Sequence, residues 1–290
     1  RVIDYVSGRA DLAGRVIRAI GDPRRRFAED KLRLLRAVRF AAALGFDLEE
    51  ETLQTVRQMA CGIAVVSAER IAAEMERMLI YPGRSEAIRL LLDTGLAETV
   101  LPEIVPCDDA QRRRLRQTLD VLDRLESPEF ALALAALLCL WVDGRGAEAV
   151  CRRWKLSHRL TSRVAWLVVH HDALRHAASM RWSALQPLVA SPHMEPLLAL
   201  VEAAAAVEGR DADEAAFCRR RLAQGPEVVN PPPLLDGDDL LRRGISPGPV
   251  YRVILARLRD AQLDGEIHTR DEALALADQL VSQAEARRRR

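Results

Sequence analysis

At 290 residues the chain is long enough for about two domains of ordinary size. Hydrophobic residues make up 49% and aromatics only 4%, so a buried core is available, built mainly of Ala and Leu, which favour helix over strand. A formal net charge of +1 excludes a polybasic or polyacidic chain, and no apolar run reaches about 18 residues without a charge, the length a membrane span needs.

Only Lys31 and Lys155 are lysines among 43 basic residues. A GC-rich genome accounts for such a bias; so does the suitability of guanidinium forks for phosphates and base edges, and composition does not separate the two. The five cysteines (Cys61, Cys107, Cys139, Cys151, Cys218) are scattered singly with no C-x-x-C pair. Neither a zinc site nor a disulfide framework is expected, and inert thiols in a reducing cytoplasm are the default. No secretory segment opens the chain, so a soluble cytoplasmic protein is expected.

In chain order, residues 2–6 (Val-Ile-Asp-Tyr-Val) read as one short strand, after an Arg1 that is not a methionine. A lone strand needs neighbours for its backbone groups, so a sheet upstream of it is expected. Residues 7–12 read as a turn, and Gly21-Asp22-Pro23 is a strong breaker. A continuous helix is predicted from 26 to 44, stopped by Gly45. Further helices are predicted at 49–58, 68–78 with Ser67 as N-cap, 85–94 and 109–125, punctuated by Tyr81-Pro82-Gly83 and Asp93-Thr94-Gly95. Apolar helices follow at 129–142, 147–154, 160–175, 194–206 and 213–223. Pro231-Pro232-Pro233 cannot continue a helix and marks a boundary. Beyond it come helices at 238–243 and 249–261, around the turn Gly244-Ile245-Ser246-Pro247-Gly248, and a last one at 270–285. The fold class is therefore all-α, with one β-strand at the start and no fixed-period repeat.

The informative stretch is residues 18–46, RAIGDPRRRFAEDKLRLLRAVRFAAALGF. On a helix turning about 100° per residue, Asp30, Arg33, Arg36 and Arg39 wind across one half while Leu34, Leu35, Val38 and Ala42 occupy the other. One face can bury and the other presents a carboxylate followed by three guanidiniums. The Watson–Crick edges of cytosine and adenine each set an amino donor beside a ring-nitrogen acceptor; guanine and uracil carry an imino N–H at the second position. A carboxylate accepts from the amino group and a guanidinium donates to the ring nitrogen, so Asp30 with Arg33 suits C and A and opposes G and U. Arg36 and Arg39 suit triphosphate oxygens. Asp–Arg pairs at this spacing are also ordinary surface pairs worth a few tenths of a kcal/mol, and spacing alone leaves both readings open.

The strings I-G-D-P, R-F-x-E-D, L-R-x-L-R-A-x-R-F and L-G-F together resemble the class II nucleotidyltransferases, the bacterial CCA-adding enzymes and poly(A) polymerases. Residues 29–36 (EDKLRLLR) look like their amino-acid template for the incoming base. The resemblance implies that Asp30 and Arg33 pair with the base, that Arg36 and Arg39 contact the nucleotide, and that Glu29 supports them. Residues 8–12 (GRADL) resemble the hinge between head and neck, with Gly8 and Asp11 as its marked positions. Residues 67–74 (SAERIAAE) resemble the neck motif that supports the template, through Glu69, Arg70 and Glu74; Arg77 and Met78 stand where the family usually has a lysine. Residues 231–240 (PPPLLDGDDL) and 244–249 (GISPGP) look like the tRNA-binding tail. A Pro-Gly-Pro start exposes free N–H groups at a helix N-terminus, which suits a phosphate; an ordinary helix–turn–helix joint is the other reading.

The implied organisation is the end of a head domain and hinge at 1–20, a neck with the template at 21–84, a helical body at 85–192 and a tRNA-binding tail at 193–290. The implied activity is addition of C and A to the tRNA 3′ end from CTP and ATP with Mg²⁺; addition of A alone, as in a poly(A) polymerase or A-adding enzyme, is one alternative. A non-enzymatic helical RNA-binding protein is another. Expected partners are tRNA or another RNA 3′ end and nucleoside triphosphates, with no membrane; oligomeric state is left open. The family holds its catalytic metals with a Gly-Ser…Asp-x-Asp motif, which this sequence does not contain, so the chain itself is expected to bind nucleotide weakly and to hold no catalytic residue and no metal.

His170-His171-Asp172, with His158 and His176 nearby, invites a metal-phosphohydrolase reading. That chemistry needs ligands on other helices, and Leu138-Cys139-Leu140 stands where one is required, so solvated or hydrogen-bonded histidines are expected. Trp141, Trp154, Trp166 and Trp182 read as core or groove residues. Arg287–Arg290 reads as a frayed basic end able to touch RNA backbone.

Overall fold

A computed structural model describes residues 3–245 and 249–288. Eighteen α-helices and two very short strands account for nearly all regular structure among them. The chain divides into two compact units, Arg1–Asp172 with Glu195–Ala212, and Ala173–Met194 with Asp213–Arg290.

The first unit opens with α1 (Gly8–Gly14), β1 (Val16–Ile17), α2 (Pro23–Glu29), α3 (Leu32–Leu44), β2 (Asp47–Leu48), α4 (Glu50–Met59), α5 (Ala68–Ile80) and α6 (Arg84–Asp93). It continues with α7 (Ala97–Val100), α8 (Asp109–Arg124), α9 (Phe130–Leu138), α10 (Gly144–Arg153) and α11 (His158–His170). The second contains α12 (Trp182–Val189), then, after α13 (Met194–Val207), α14 (Asp213–Leu222), α15 (Pro226–Val229), α16 (Gly237–Arg242), α17 (Pro249–Leu263) and α18 (Arg270–Arg288).

Two regions differ most from the predicted elements, and the helices predicted over 129–142 and 160–175 stop earlier, at Leu138 and His170. Residues 3–6 make no strand, and Val2 lies outside the described residues. The Asp4 carboxylate instead accepts from the N–H groups of Val6 (3.1 Å), Gly8 (2.9 Å) and Arg9 (2.9 Å), and α1 forms where a turn was expected. A short polar side chain competes for local backbone donors, and those bonds hold the Asp4 carboxyl below its usual range. The second difference is a break in the helix predicted over 26–44. Asp22 caps α2, with Pro23 in its first turn, so the Gly21-Asp22-Pro23 breaker is a helix start. Asp30 then leaves the helix with extended backbone (φ −148°, ψ 104°), and its Oδ1 accepts from Leu32 N–H at 3.1 Å, opening α3. Aspartate is a poor interior residue and a good helix starter for the same reason.

α3 organises the front of this unit. Leu34, Leu35 and Val38 are fully buried on the face that meets α5 and α6. Each such side chain contributes about 1.5–3 kcal/mol on burial. All nine residues of α9 are buried, and it packs against α5, α8 and α11, which explains its lack of a polar face. Arg84, at the start of α6, is buried; its guanidinium donates to the Leu122 (3.0 Å) and Leu125 (2.8 Å) carbonyls and so satisfies the end of α8. Burial pushes its pKa down.

In the second unit Leu235, Leu240, Ile254, Leu258, Ala261, Ile267, Ala273 and Ala277 form one core. A reciprocal capping box between Asp236 and Asp239 starts α16 directly after the triproline boundary. Ser246-Pro247-Gly248 of the expected tail turn, and Arg289 and Arg290 of the basic end, lie outside the described residues. Among the described residues no helix is long and apolar enough to cross a membrane.

Gly83 turns the chain from α5 into α6 at φ +81°, and a Cβ there would meet the Ala42 carbonyl oxygen well inside van der Waals contact. Gly83→Ala is expected to cost more than about 1 kcal/mol, read as a lower thermal midpoint. Cys61 and Cys107 are exposed, whereas burial pushes Cys139 up to about 12 and Cys151 and Cys218 to about 11. Two thiols should therefore react promptly with a disulfide reagent at pH 8, and all five after denaturation.

Candidate functional site

The two short strands pair in parallel, Val16 with Asp47 and Ile17 with Leu48. This clasp joins the segment before α2 to the segment after α3 and sets Arg18 beside Asp11 and Glu49, both at 3.2 Å. Residues 17–20 then face α2 and α3 across a cleft of about 390 Å³, a volume fit for a small ligand. Its walls include Arg18, Arg26, Arg33 and Arg36, with Phe27 and Phe40. Four arginines and two phenylalanines among the lining residues suit an anionic and partly planar ligand.

Arg33 and Arg36, two of the four candidate nucleotide residues, line this cleft; Asp30 and Arg39 are not among its walls. Arg33 Nη1 donates to the Arg26 carbonyl at 2.8 Å and to Glu29 Oε2 at 2.7 Å. That contact is the main cause holding the Glu29 carboxyl below its usual range. Arg36 is exposed and makes no ion pair among the described residues; its guanidinium lies 5.9 Å from the Phe40 ring centre. Asp30 is half-buried in the break between α2 and α3. Its Oδ2 accepts from Arg70 Nη2 at 2.9 Å, so its ion pair is with α5 rather than with Arg33. Arg70 is the first cause of the lowered Asp30 pKa.

Arg39 turns toward α5, where its Nε donates to Glu74 Oε2 at 2.7 Å while its guanidinium sits 4.0 Å over the Phe40 ring. Glu74 is buried, and its other oxygen accepts from Arg77 Nη1 at 2.8 Å. Of the four supporting candidates, Glu29, Arg70 and Glu74 thus touch α2, the break or α3. Glu69 pairs with Lys155, 2.9 Å away in the turn after α10. Of the hinge positions, Gly8 opens α1 and Asp11 holds Arg18.

Sequence reasoning assigned no role to Arg18, Arg26, Phe40 or Glu49. Arg26 and Phe40 stood inside the motif strings, and their spacing was the available signal. Arg18 joins the cleft only through the β1–β2 pairing, which no local pattern announces. The histidines are engaged locally: His170 Nδ1 is 2.7 Å from the Trp166 carbonyl and its ring stacks on Trp166, while His171 Nδ1 is 2.8 Å from the Val168 carbonyl. Trp154 is buried and donates to the Val100 carbonyl, and Trp141 donates to Thr118. Among the described residues no group of three or more His, Cys, Asp or Glu is placed to hold a metal ion.

Glu74→Ala removes the acceptor for two guanidiniums and leaves the half-buried Arg39 uncompensated. A loss of about 2–3 kcal/mol in denaturant unfolding is expected, with Glu74→Gln losing less.

Comparisons with known proteins agree with this architecture. Residues 45–107 match the family described as probable RNA and SrmB-binding site of polymerase A, and residues 125–277 match tRNA nucleotidyltransferase domain 2, putative. A CCA-adding enzyme of Lactobacillus gasseri is 30% identical over 273 residues, 94% of this chain and 65% of that protein. One from Geobacillus sp. is 37% identical over 165 residues, 57% of this chain and 39% of that protein. The Bacillus stearothermophilus CCA-adding enzyme, solved in complex with CTP, superposes with a TM-score of 0.76 at 27% identity, covering 99% of this chain and 70% of that one. The Thermotoga maritima CCA-adding enzyme complexed with tRNA shares the fold, with a TM-score of 0.58 at 20% identity over 97% and 67% of the two chains. The chain spans 65% of the length of the Lactobacillus gasseri relative. With residues 125–277, more than half of its length, matching the tRNA nucleotidyltransferase model, the chain belongs to the class II tRNA nucleotidyltransferase family, that of the CCA-adding enzymes.

Proposed function

We propose that this chain is the nucleotide-selecting and RNA-holding portion of an enzyme that adds C and A to the tRNA 3′ end from CTP and ATP. The observation that carries the reading is the placement of Arg33 and Arg36 in an arginine-lined cleft, with the Asp30 carboxylate held at the adjoining break. Asp30 accepts from the amino group of cytosine or adenine, and Arg33, through donors that Glu29 and Arg26 leave unused, gives to the ring nitrogen. Uracil and guanine set a carbonyl against the carboxylate and an N–H against the guanidinium, leaving both groups unpaired. Arg36 is the phosphate contact. Arg39, held by Glu74, acts from behind on Phe40 and on the orientation of α3.

In this reading residues 1–20 are the end of the head and hinge, 21–84 the neck, 85–192 the body and 193–290 the tail. Body and tail hold tRNA mainly by shape and phosphate contacts, because tRNAs share shape more than sequence. The setting is cytoplasmic. In this reading Mg²⁺, held by the carboxylates of a head domain, supplies charge neutralisation during phosphoryl transfer. The match of residues 45–107 to a polymerase A segment favours a second reading, an A-adding enzyme. The full-length protein, given tRNA lacking its 3′ end and CTP or ATP singly, separates the two: incorporation of C supports the first.

Asp30→Ala in the full-length protein should lower the preference for C and A over U and G by about tenfold or more, with tRNA affinity little changed. Unaltered base choice counts against the template assignment.

A further inference from the structure

The segment after the triproline boundary and α17 enclose a cleft of about 400 Å³ whose lining residues all belong to the second unit. Its walls are mainly aliphatic: Pro233, Leu234 and Leu235 on one side, Leu255 and Leu258 of α17 on the other. Leu235 and Leu258 belong to the core of this unit, whereas Leu234 and Leu255 are only partly buried and give the cleft apolar surface. No aromatic ring is among the lining residues. Single-stranded RNA is gripped by rings on which its bases stack, so these walls fit an alkyl body rather than a base.

One cation stands in this apolar setting without a counter-charge. Arg259, half-buried on α17, lines the cleft. Its Nη1 donates to the Pro231 carbonyl at 2.7 Å and to Gln262 Oε1 at 3.1 Å, and its Nη2 donates to Asn230 Oδ1 at 2.7 Å. All three acceptors are neutral, and burial pushes the Arg259 pKa down with no carboxylate opposing it. Arg33 and Arg39, also half-buried, each have a glutamate; Arg259 makes no ion pair among the described residues. Asp236, the one carboxylate among the lining residues, is exposed and accepts the Asp239 N–H at 3.0 Å as the cap of α16. A guanidinium carries five N–H groups, and three are used here, which leaves Nε–H and one N–H of Nη2. The frame around it is braced: Gln186 Nε2 donates to the same Asn230 oxygen at 3.0 Å, and Gln262 Nε2 donates to the Pro232 carbonyl at 2.8 Å.

We propose that this cleft is a binding site for a small amphiphilic anion, an alkyl carboxylate, whose chain lies against Leu234, Leu255 and Leu258 and whose carboxylate accepts from the unused donors of Arg259. A carboxylate takes guanidinium donors in pairs, and a half-buried cation gains most from a ligand that brings the missing charge. The site is separate in its residues and its chemistry from nucleotide selection, and it stands whether or not that reading holds.

The test is calorimetric titration of the full-length protein with decanoate, and with decanol as the uncharged control, for wild type, Arg259→Gln and Leu255→Trp. Wild type should bind one decanoate per chain saturably and decanol about tenfold or more weakly than decanoate. R259Q should lose about tenfold or more in decanoate affinity and bind decanol as wild type does. L255W fills the cleft and leaves the hydrogen bonds of the triproline segment in place, so it should abolish binding of both with an unchanged melting curve; it decides the matter should R259Q fail to fold. Absence of saturable decanoate binding to wild type, decanol binding as tight as decanoate binding, or an affinity that L255W leaves unaltered overturns the proposal. A single-stranded oligoribonucleotide that excludes decanoate, and whose own binding L255W abolishes, overturns it too and makes the cleft part of the RNA-holding surface.

Discussion

Burial of one face of α3 governs the geometry of the first unit. Leu34, Leu35 and Val38 leave water completely against α5 and α6. Their side chains can only do so in one rotation of the helix about its axis, since a 3.6-residue repeat ties every other position to them. Arg33 and Arg36 therefore lie toward the cleft and Arg39 toward α5, with little freedom to exchange roles. A hydrophobic constraint, non-directional in itself, acquires direction through helical periodicity and sets the aim of three charges.

Electrostatics then refines what packing places. Glu74 is the one carboxylate of this region that is buried, and it is compensated by guanidiniums on both oxygens. A buried charge so paired adds little net stability but ties Arg39 to one place, and the cost of removing it falls on the partner left behind. Glu29 and Asp30, adjacent in sequence, do the opposite: both remain partly in water and hold arginines at the cleft and at the break. Their pairs are cheap to open.

The break at Asp30 shows how local chemistry and fold cooperate. Two helices rather than one meet at a residue whose carboxylate starts the second helix and reaches α5. Taken alone, the run from Arg26 to Leu44 is rich in helix formers, and Asp30 within it costs only part of a kcal/mol, so the local sequence favours an unbroken helix. The contact with Arg70, forty residues away, adds to the local preference and favours the bend. The same logic accounts for residues 3–6, where strand propensity found no partner within the described residues and the Asp4 carboxylate recruited the backbone instead.

What the sequence determined by itself was the helical class, most helix boundaries, and the residues that carry the family likeness. Those properties reside in periods of 3.6, in Asp22, Gly45 and Asp236 at helix ends, and in contiguous strings such as residues 29–36. Only the tertiary structure decided the partners: Asp30 with Arg70 rather than Arg33, Glu69 with Lys155, Arg39 with Glu74, and Arg18 brought to the cleft by a two-residue strand pair. The reason is range. Periodicity and capping act within a few residues along the chain, whereas which charge meets which is settled by packed helices whose members lie tens of residues apart, and a single ion pair is too weak to announce itself in the pattern of either one.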